Sequence, residues 1–411
     1  MVSPLDGITV LDLTRLLPGP FATQLLADLG ADVIKVEDPA LGDYMRAVPP
    51  AIDDTSYPFL MVNRNKRSIA VNLKDPDGQA IVHKLVRRAD VFVEQFRPGV
   101  TKRLAVDYPR IRRINPRIVY CAHSGYGQTG PYAHLPGHDI NFEALAGILS
   151  VGRDATPAIP AVPISDLSSG FMAAFAILAA LRTRDRTGKG EFIDVSIFDV
   201  SFSLMVLAIA RYLGAREEPT PSEIIAGHWP FYNLYQASDG LWLAVAAVEP
   251  KFWTRLVELM GLPELRGKQF VDLPERDDIL ERMRSRFRER PRAAWLSLFE
   301  GEDLPVTTVQ RLADAITDPH VVARRLLRRA NLGRLGRPIV LSHPAKYSRS
   351  RVVPARRVPA LGADTDGILR GLGYSRNRIA DLRARNVVDG PAPGRRTLLR
   401  AAARSSRAAS V

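Results

Sequence analysis

A strand, a turn, a helix and a second strand follow one another within the first forty residues, and that order constrains the fold more than any other feature of the chain. Ile8-Thr-Val-Leu-Asp-Leu13 is a short β-rich run, Pro18-Gly-Pro20 is a turn that admits a helix start, and Phe21 to Leu29 carries apolar residues at helical spacing. Gly30 closes the helix and Ala31-Asp-Val-Ile-Lys-Val-Glu37 reads as the second strand. Such a unit implies parallel pairing and a right-handed crossover. The pattern recurs with Ser68 to Leu73, the helical stretch Asp77 to Arg88, Val91 to Glu94, a helical stretch through Ile114, and Arg117 to Ala122. Strands separated by helices predict an α/β fold with a large, Rossmann-like, doubly wound parallel sheet. An Ala-rich helix over Phe171–Arg184, the turn Thr187-Gly-Lys-Gly190 and a strand over Glu191–Ser196 extend it.

The texture changes near residue 220. Trp229 to Tyr235, Asp239-Gly240 and Leu241 to Ala247 predict a hairpin, and Pro250 to about Leu312 reads as charged amphipathic helix. The expected organisation is therefore a large α/β domain over 1–219, a smaller α+β domain over 220–320, a return segment over 321–388 completing the large domain, and an Arg-rich disordered tail over 389–411.

With 411 residues, 46% hydrophobic and 25% charged, the chain is long enough for a large core. No uncharged 18-residue apolar run and no secretory signal is present, so a cytoplasmic protein without membrane attachment is expected. The single cysteine, Cys121, rules out an intrachain disulfide and a Cys-based zinc site. The net charge of +13 is local: residues 319–363 hold ten Arg and one Lys with no acid, and the segment from 391 adds five Arg. Tyr347 is the only Phe, Trp or Tyr in the first of these segments, which argues against a nucleic-acid groove with interleaved aromatics. A solvated basic face is the expectation, with attraction for an anionic ligand such as a polyphosphate.

Gly125-Tyr-Gly-Gln-Thr-Gly130 has the letters of a dinucleotide fingerprint, but Pro131 follows at once and no apolar helix opens there to hold a pyrophosphate. His134 and His138 stand four apart with Pro136 and Gly137 between them, so they share no helical face and no metal site is expected. Ser165 and Ser168 flank Asp166 without a nucleophile elbow. His83 and His320 lie in helical contexts and read as surface or structural residues. The two groups best placed to carry a proton are His138, in a Gly-bounded loop between a strand and a helix, and the carboxylate of Asp166. From the residues alone, His138 reads equally as an acid/base group and as a structural hydrogen-bonding residue.

Beyond these motifs, Leu16-Leu-Pro-Gly-Pro-Phe21, Ala27 to Glu37, Asn65 to Lys74, Phe96-Arg-Pro-Gly-Val100, Ser124 to Pro131 and Thr187-Gly-Lys-Gly190 resemble the class III CoA-transferase superfamily over about residues 5 to 385. Gly137-His-Asp-Ile-Asn-Phe142, Pro230-Phe-Tyr232 and Val248-Glu-Pro-Lys-Phe-Trp253 are most similar to its α-methylacyl-CoA racemase subgroup. The resemblance implies His138 and Asp166 as the acid/base pair, with Glu249 orienting His138. It implies a CoA thioester site lined by Ala70, Val71, Asn72, Leu73 and Lys74 and by Gly137, Asp139, Ile140, Asn141 and Phe142, with Arg97 and Arg103 on the CoA phosphates. It further implies an interlocked homodimer, an acyl-CoA substrate and no cofactor, CoA being part of the substrate. The expected function is a 2-methylacyl-CoA racemase working through an enolate, the alternatives being a CoA-transferase with Asp166 as nucleophile and a non-catalytic CoA-thioester-binding protein. Three positions depart from the pattern: Asp38 stands where a basic residue is usual, Leu167-Ser-Ser-Gly170 is transferase-like, and Ala363-Asp364 replaces a Glu-His pair.

Overall fold

Six β-rich runs form the parallel sheet that the strand and helix pattern predicts. They are β1 (Thr9–Leu13), β2 (Asp32–Glu37), β3 (Arg67–Val71), β4 (Val91–Glu94), β5 (Val119–Ser124) and β6 (Phe192–Ser196). The computed structural model describes residues 2–150, 156–218 and 226–389, so the expected tail lies, from Gly390 on, outside the described residues.

The six strands lie in the order 3-2-1-4-5-6, and Val388–Asp389 adds an antiparallel edge strand against β3. This order belongs to doubly wound sheets, and the point where it reverses, between β1 and β4, is where such sheets open a crevice at their carboxyl ends. The register sets Leu11 beside Ile34 and Phe92. Alternation then sends Leu11, Ile34, Phe92 and Tyr120 to one face and Val10, Val33, Val91, Val93 and Cys121 to the other.

Both faces are covered. On the first, α2 (Pro76–Val86) and α3 (Tyr108–Ile114) bury Ile81, Leu85 and Ile111, joined by Leu369 and Leu382 of the return segment. On the second, α1 (Pro18–Asp28) packs beside the 24-residue helix α5 (Ile164–Thr187). These two approach closely because Gly170 has no side chain: a Cβ there would lie 2.8 Å from the Phe21 ring and 2.9 Å from the Pro18 carbonyl. By composition α5 could span a bilayer, but Ala173, Ala174, Ile177, Ala180 and Leu181 belong to this core. It starts at Ile164, seven residues ahead of the expected Phe171, so Asp166 occupies its first turn.

Two compact units result. One comprises Met1–Ala146, Pro160–Leu204 and the chain from Arg324, and the other comprises Gly147–Ile159 and Met205–Ala323. The chain leaves the first unit after Leu204 and re-enters at Arg324, against expected positions of 219 and 321. No glycine or proline marks the first break, which lies within the apolar run Phe202-Ser-Leu-Met-Val206. In the second unit Tyr232–Gln236 and Trp242–Ala246 form the expected antiparallel hairpin, and Val306–Thr308 adds a third strand. Its core gathers Trp253, Phe287 and Trp295, all fully buried.

Candidate active site

The carboxyl edge of β5 runs into Gly125, and the chain then wraps an aromatic ring before reaching His138. A Cβ at Gly125 or at Gly137 would come within 2.9 Å of the Phe142 ring. Only glycine at both positions lets the loop close on that ring, which also meets Tyr126 edge-on at 5.0 Å between centroids. Gly125–Gly130 forms bends and no helix. The backbone N–H of Gln128 donates to Asp194 on β6 at 2.9 Å, pinning the glycine loop to the sheet.

His138 ends this loop and helix α4 (Asp139–Ala146) begins directly after it. The His138 N–H donates to Asn141 Oδ1 at 3.0 Å and the Asn141 N–H donates back to the His138 carbonyl at 2.8 Å. This reciprocal pair satisfies donors that a helix start leaves open. The imidazole is exposed and makes no hydrogen bond among the described residues.

Residues 139 and 143 are one helical turn apart on α4 and both reach the amino end of α5. The Asp166 N–H donates to Asp139 Oδ1 at 2.9 Å and the Ile164 N–H donates to Glu143 Oε1 at 3.3 Å. Two orphan donors of α5 are thereby met by carboxylates, the arrangement that a helix N-terminus favours. The Asp166 side chain joins them as a third acid. Burial, then the charges of Asp139 and Glu143, push its carboxyl from the ordinary value up to about 7. The helix end favours the ionised form by only about 0.3–1 kcal/mol, too little to offset those effects. Glu143, with no exposed surface, is also raised, by burial and by Asp139. Asp166 is thus poised to give or take a proton near neutral pH, and the exposed imidazole of His138 adjoins the residue that holds its backbone.

The remaining expected positions fall in different places. Ala70 and Val71 are buried in β3, where the Ala70 N–H accepts no ligand role because it donates to Thr365 Oγ1 at 3.1 Å. Asn72, Leu73 and Lys74 form the turn that follows, with Lys74 exposed. Arg97 and Arg103 are exposed beyond the carboxyl end of β4. Ile140 and Asn141 are exposed on α4, whereas Phe142 is buried. Glu249 belongs to the second unit, exposed at the cap of the helix Pro250–Leu259. The pairs Lys66–Asp12 and Lys35–Asp43 are fully buried, and Asp12 stands at the end of β1.

Glu143 escapes a motif reading, yet its spacing from Asp139 on a helix beginning directly after His138 is the signal that finds it. Glu94, raised to about 8 by burial and the charge of Asp194, and His123, fully buried and lowered to about 4, also line the carboxyl edge of the sheet. No group of His, Cys, Asp and Glu suited to a metal ion occurs among the described residues.

A sheet of this order defines an α/β protein of the doubly wound class. The model of CoA-transferase family III matches residues 5–365, and the chain belongs to that family, whose members act on CoA thioesters. It is 36% identical to succinyl-CoA:glutarate CoA-transferase of Mus musculus over 94% of this chain and 91% of that protein. It is 32% identical to alpha-methylacyl-CoA racemase of Homo sapiens over 94% of this chain and 97% of that one. Among solved structures, a CAIB/BAIF family protein from Brucella suis superimposes with a TM-score of 0.81 at 29% identity, over 90% of this chain and 100% of that chain.

Proposed function

We propose that the protein is a 2-methylacyl-CoA racemase in which His138 and Asp166 exchange the α-proton of a CoA thioester through an enolate. The observation that carries this reading is the clamp between α4 and α5: the helix that begins directly after His138 holds, through Asp139, the backbone of Asp166. One group takes the α-proton as electrons move onto the thioester oxygen, and the other returns a proton to the opposite face as the carbonyl re-forms. A carboxyl raised to about 7 suits either part near neutral pH. N–H groups of the glycine loop other than that of Gln128 supply donors for the enolate oxygen. Asn72 to Lys74 with Arg97 and Arg103 hold the CoA in this reading. The chemistry needs no group beyond the CoA of the substrate.

The second reading is a CoA-transferase, favoured by the 36% identity to succinyl-CoA:glutarate CoA-transferase. Asp166 then attacks the thioester carbonyl and releases CoA thiolate, which returns to the aspartyl anhydride and frees the first acid. The aspartyl thioester passes CoA to a second carboxylate.

One experiment separates them. With a single 2-methylacyl-CoA epimer in deuterated water, the racemase delivers deuterium into the inverted product. His138→Gln then loses about 10²–10⁴-fold in rate, and Asp166→Ala is inactive in both readings. Unchanged racemisation by His138→Gln removes His138 from the proton transfer and overturns the first reading, and CoA transfer to a free acid without α-exchange replaces it by the second.

We further propose a homodimer, supported by apolar side chains that α5 leaves in solvent. Phe171, Met172 and Phe175 are 49%, 41% and 67% exposed, an apolar row of the kind that marks an association surface.

A further inference from the structure

The acid-free run of arginines that the sequence places after residue 319 folds around a cleft of about 550 Å³ in the first unit. That volume lies within the range of about 300–1,000 Å³ typical of small-ligand sites. Arg325, Arg328, Arg329, Lys346 and Arg351 line it, and none of the five engages a carboxylate among the described residues. The one acid in the lining, Asp28, is buried and already paired with Arg64. Burial and the neighbouring Arg328, Arg324 and Arg325 depress the Lys346 ammonium. These cations are therefore close enough to repel one another, and a folded chain holds such a set only where an anion or open solvent relieves the repulsion.

Two further observations point to a ligand. Ser342 Oγ lines the cleft, is shielded from solvent and has no hydrogen-bond partner among the described residues. Tyr347, 43% exposed, lies with its ring 6.2 Å from that of His343, an aromatic pair on the same lining.

The place is distinct from the acid/base pair. α1 begins against Gly170, one turn after Asp166, and its 11 residues run about 16 Å to Asp28 on the cleft floor. The motifs attributed to CoA binding contribute none of the lining residues.

We propose that this cleft binds a small diphosphate-bearing ligand, its phosphates on Arg325, Arg328 and Lys346 and its base, when it is a nucleotide, on Tyr347. Guanidinium groups bind phosphate oxygens through paired N–H donors, and a nucleobase stacks on an aromatic face. Inorganic pyrophosphate and ADP share this chemistry and differ in the base.

Calorimetry on the full chain with each of the two probes decides the matter. Both bind the native protein, ADP more tightly, and both weaken as salt rises from about 50 to about 300 mM. Arg328→Gln combined with Lys346→Gln weakens both by at least about tenfold and leaves thioester turnover unchanged. Arg97→Gln with Arg103→Gln leaves ADP binding at the cleft intact. Tyr347→Ala removes the preference for ADP if the base stacks there, whereas equal affinity of the two probes in the native protein assigns the cleft to the diphosphate alone. The proposal is overturned if neither probe binds at millimolar concentration, if binding survives the cleft double variant, if it is lost only in the Arg97/Arg103 variant, or if a short single-stranded oligonucleotide displaces ADP and binds more tightly. Circular dichroism of each variant excludes unfolding as the cause of a loss. None of these outcomes depends on whether the thioester chemistry is racemisation or transfer.

Discussion

Asp139 accepts the backbone N–H of Asp166 at 2.9 Å, so the residue next to His138 fixes the first turn of α5. After burial, the charge of the same carboxylate is the next cause that raises the pKa of the side chain whose backbone it binds. Positioning and tuning come from one group.

That double role predicts a shift in pH profile without a loss of geometry. Asp139→Asn keeps an oxygen able to accept from Asp166 while removing the like charge, and Glu143→Gln removes the second. In each variant the limb of the kcat/KM profile assigned to Asp166, near pH 7 in the native protein, moves to lower pH. A native-like profile in both variants would falsify the carboxyl cluster as the source of the shift. Asp139→Ala, which loses the acceptor as well, lowers kcat by an additional order of magnitude or so.

Stability carries the same signature with a definite sign. The folded state raises the Asp166 carboxyl from 3.8 to about 7, so it favours the protonated form. The unfolded chain loses that proton first as pH rises, and the folded state is progressively penalised between about pH 4 and pH 7. Asp166→Asn lacks the penalty. Relative to the native protein it gains about 1–3 kcal/mol more at pH 8 than at pH 4, a figure reduced for the partial exposure of the group. Urea unfolding at the two pH values gives the comparison, and an equal effect at both rejects the shift.

The sheet was legible because it is written in local pattern: the parallel strands β1 to β5 are mostly buried and read as short β-rich runs, punctuated by residues such as Gly30 and Pro18 that serve one backbone role. His138 and Asp166 were legible as chemistry-bearing residues in a loop and near a helix start. Their coupling was not, because it depends on α5 beginning at Ile164 instead of Phe171 and on Glu143 facing the helix end, which are matters of packing. The break after Leu204 was equally silent, since an apolar helical run continues across it. The basic cleft appeared in sequence only as charge, because the ring of unpaired cations assembles from Arg325 to Arg351 once the strands Leu327–Arg329 and Ile339–Leu341 pair.

Beneath the switch point, Lys66 and Asp12 form a fully buried pair at 2.9 Å, and the Lys66 ammonium also donates to the Pro20 carbonyl, Thr23 Oγ1 and Asn63 Oδ1. This network ties β1, α1 and the start of β3 together. Lys66→Met leaves Asp12 charged in the core with its main partner gone and costs about 3–5 kcal/mol. Lys66→Met with Asp12→Leu recovers most of that loss if the unpaired charge is its cause. Chemical unfolding of the single and double variants reads both values.

Gly170 is the hinge of the contact between α1 and α5, where an added methyl meets Phe21 and the Pro18 carbonyl below 3.0 Å. Backbone cannot yield as a flexible side chain can, so Gly170→Ala pushes α5 outward and costs about 1–3 kcal/mol in spite of the better helix propensity of alanine. Because Asp166 lies one turn away on the same helix, kcat falls with it. A variant as stable and active as the native protein shows that the two helices separate freely and that their close approach positions nothing.

The exposed apolar row on α5 makes the last prediction. Phe175 is 67% exposed although it lies in the middle of a helix whose other face is core. Large aromatic side chains left in water along such a helix are stabilised when a second surface covers them, at about 25 cal/mol for each Å² removed from solvent. Sedimentation at low micromolar concentration therefore gives a species of twice the 45.4 kDa chain mass. Phe175→Glu sets a charge in that buried row, which has no partner to offer it, and weakens association at least about tenfold while the far-UV spectrum of the chain is retained. A monomeric native protein, or a Phe175→Glu variant that dimerises as before, removes α5 from the interface and leaves its apolar row without a partner.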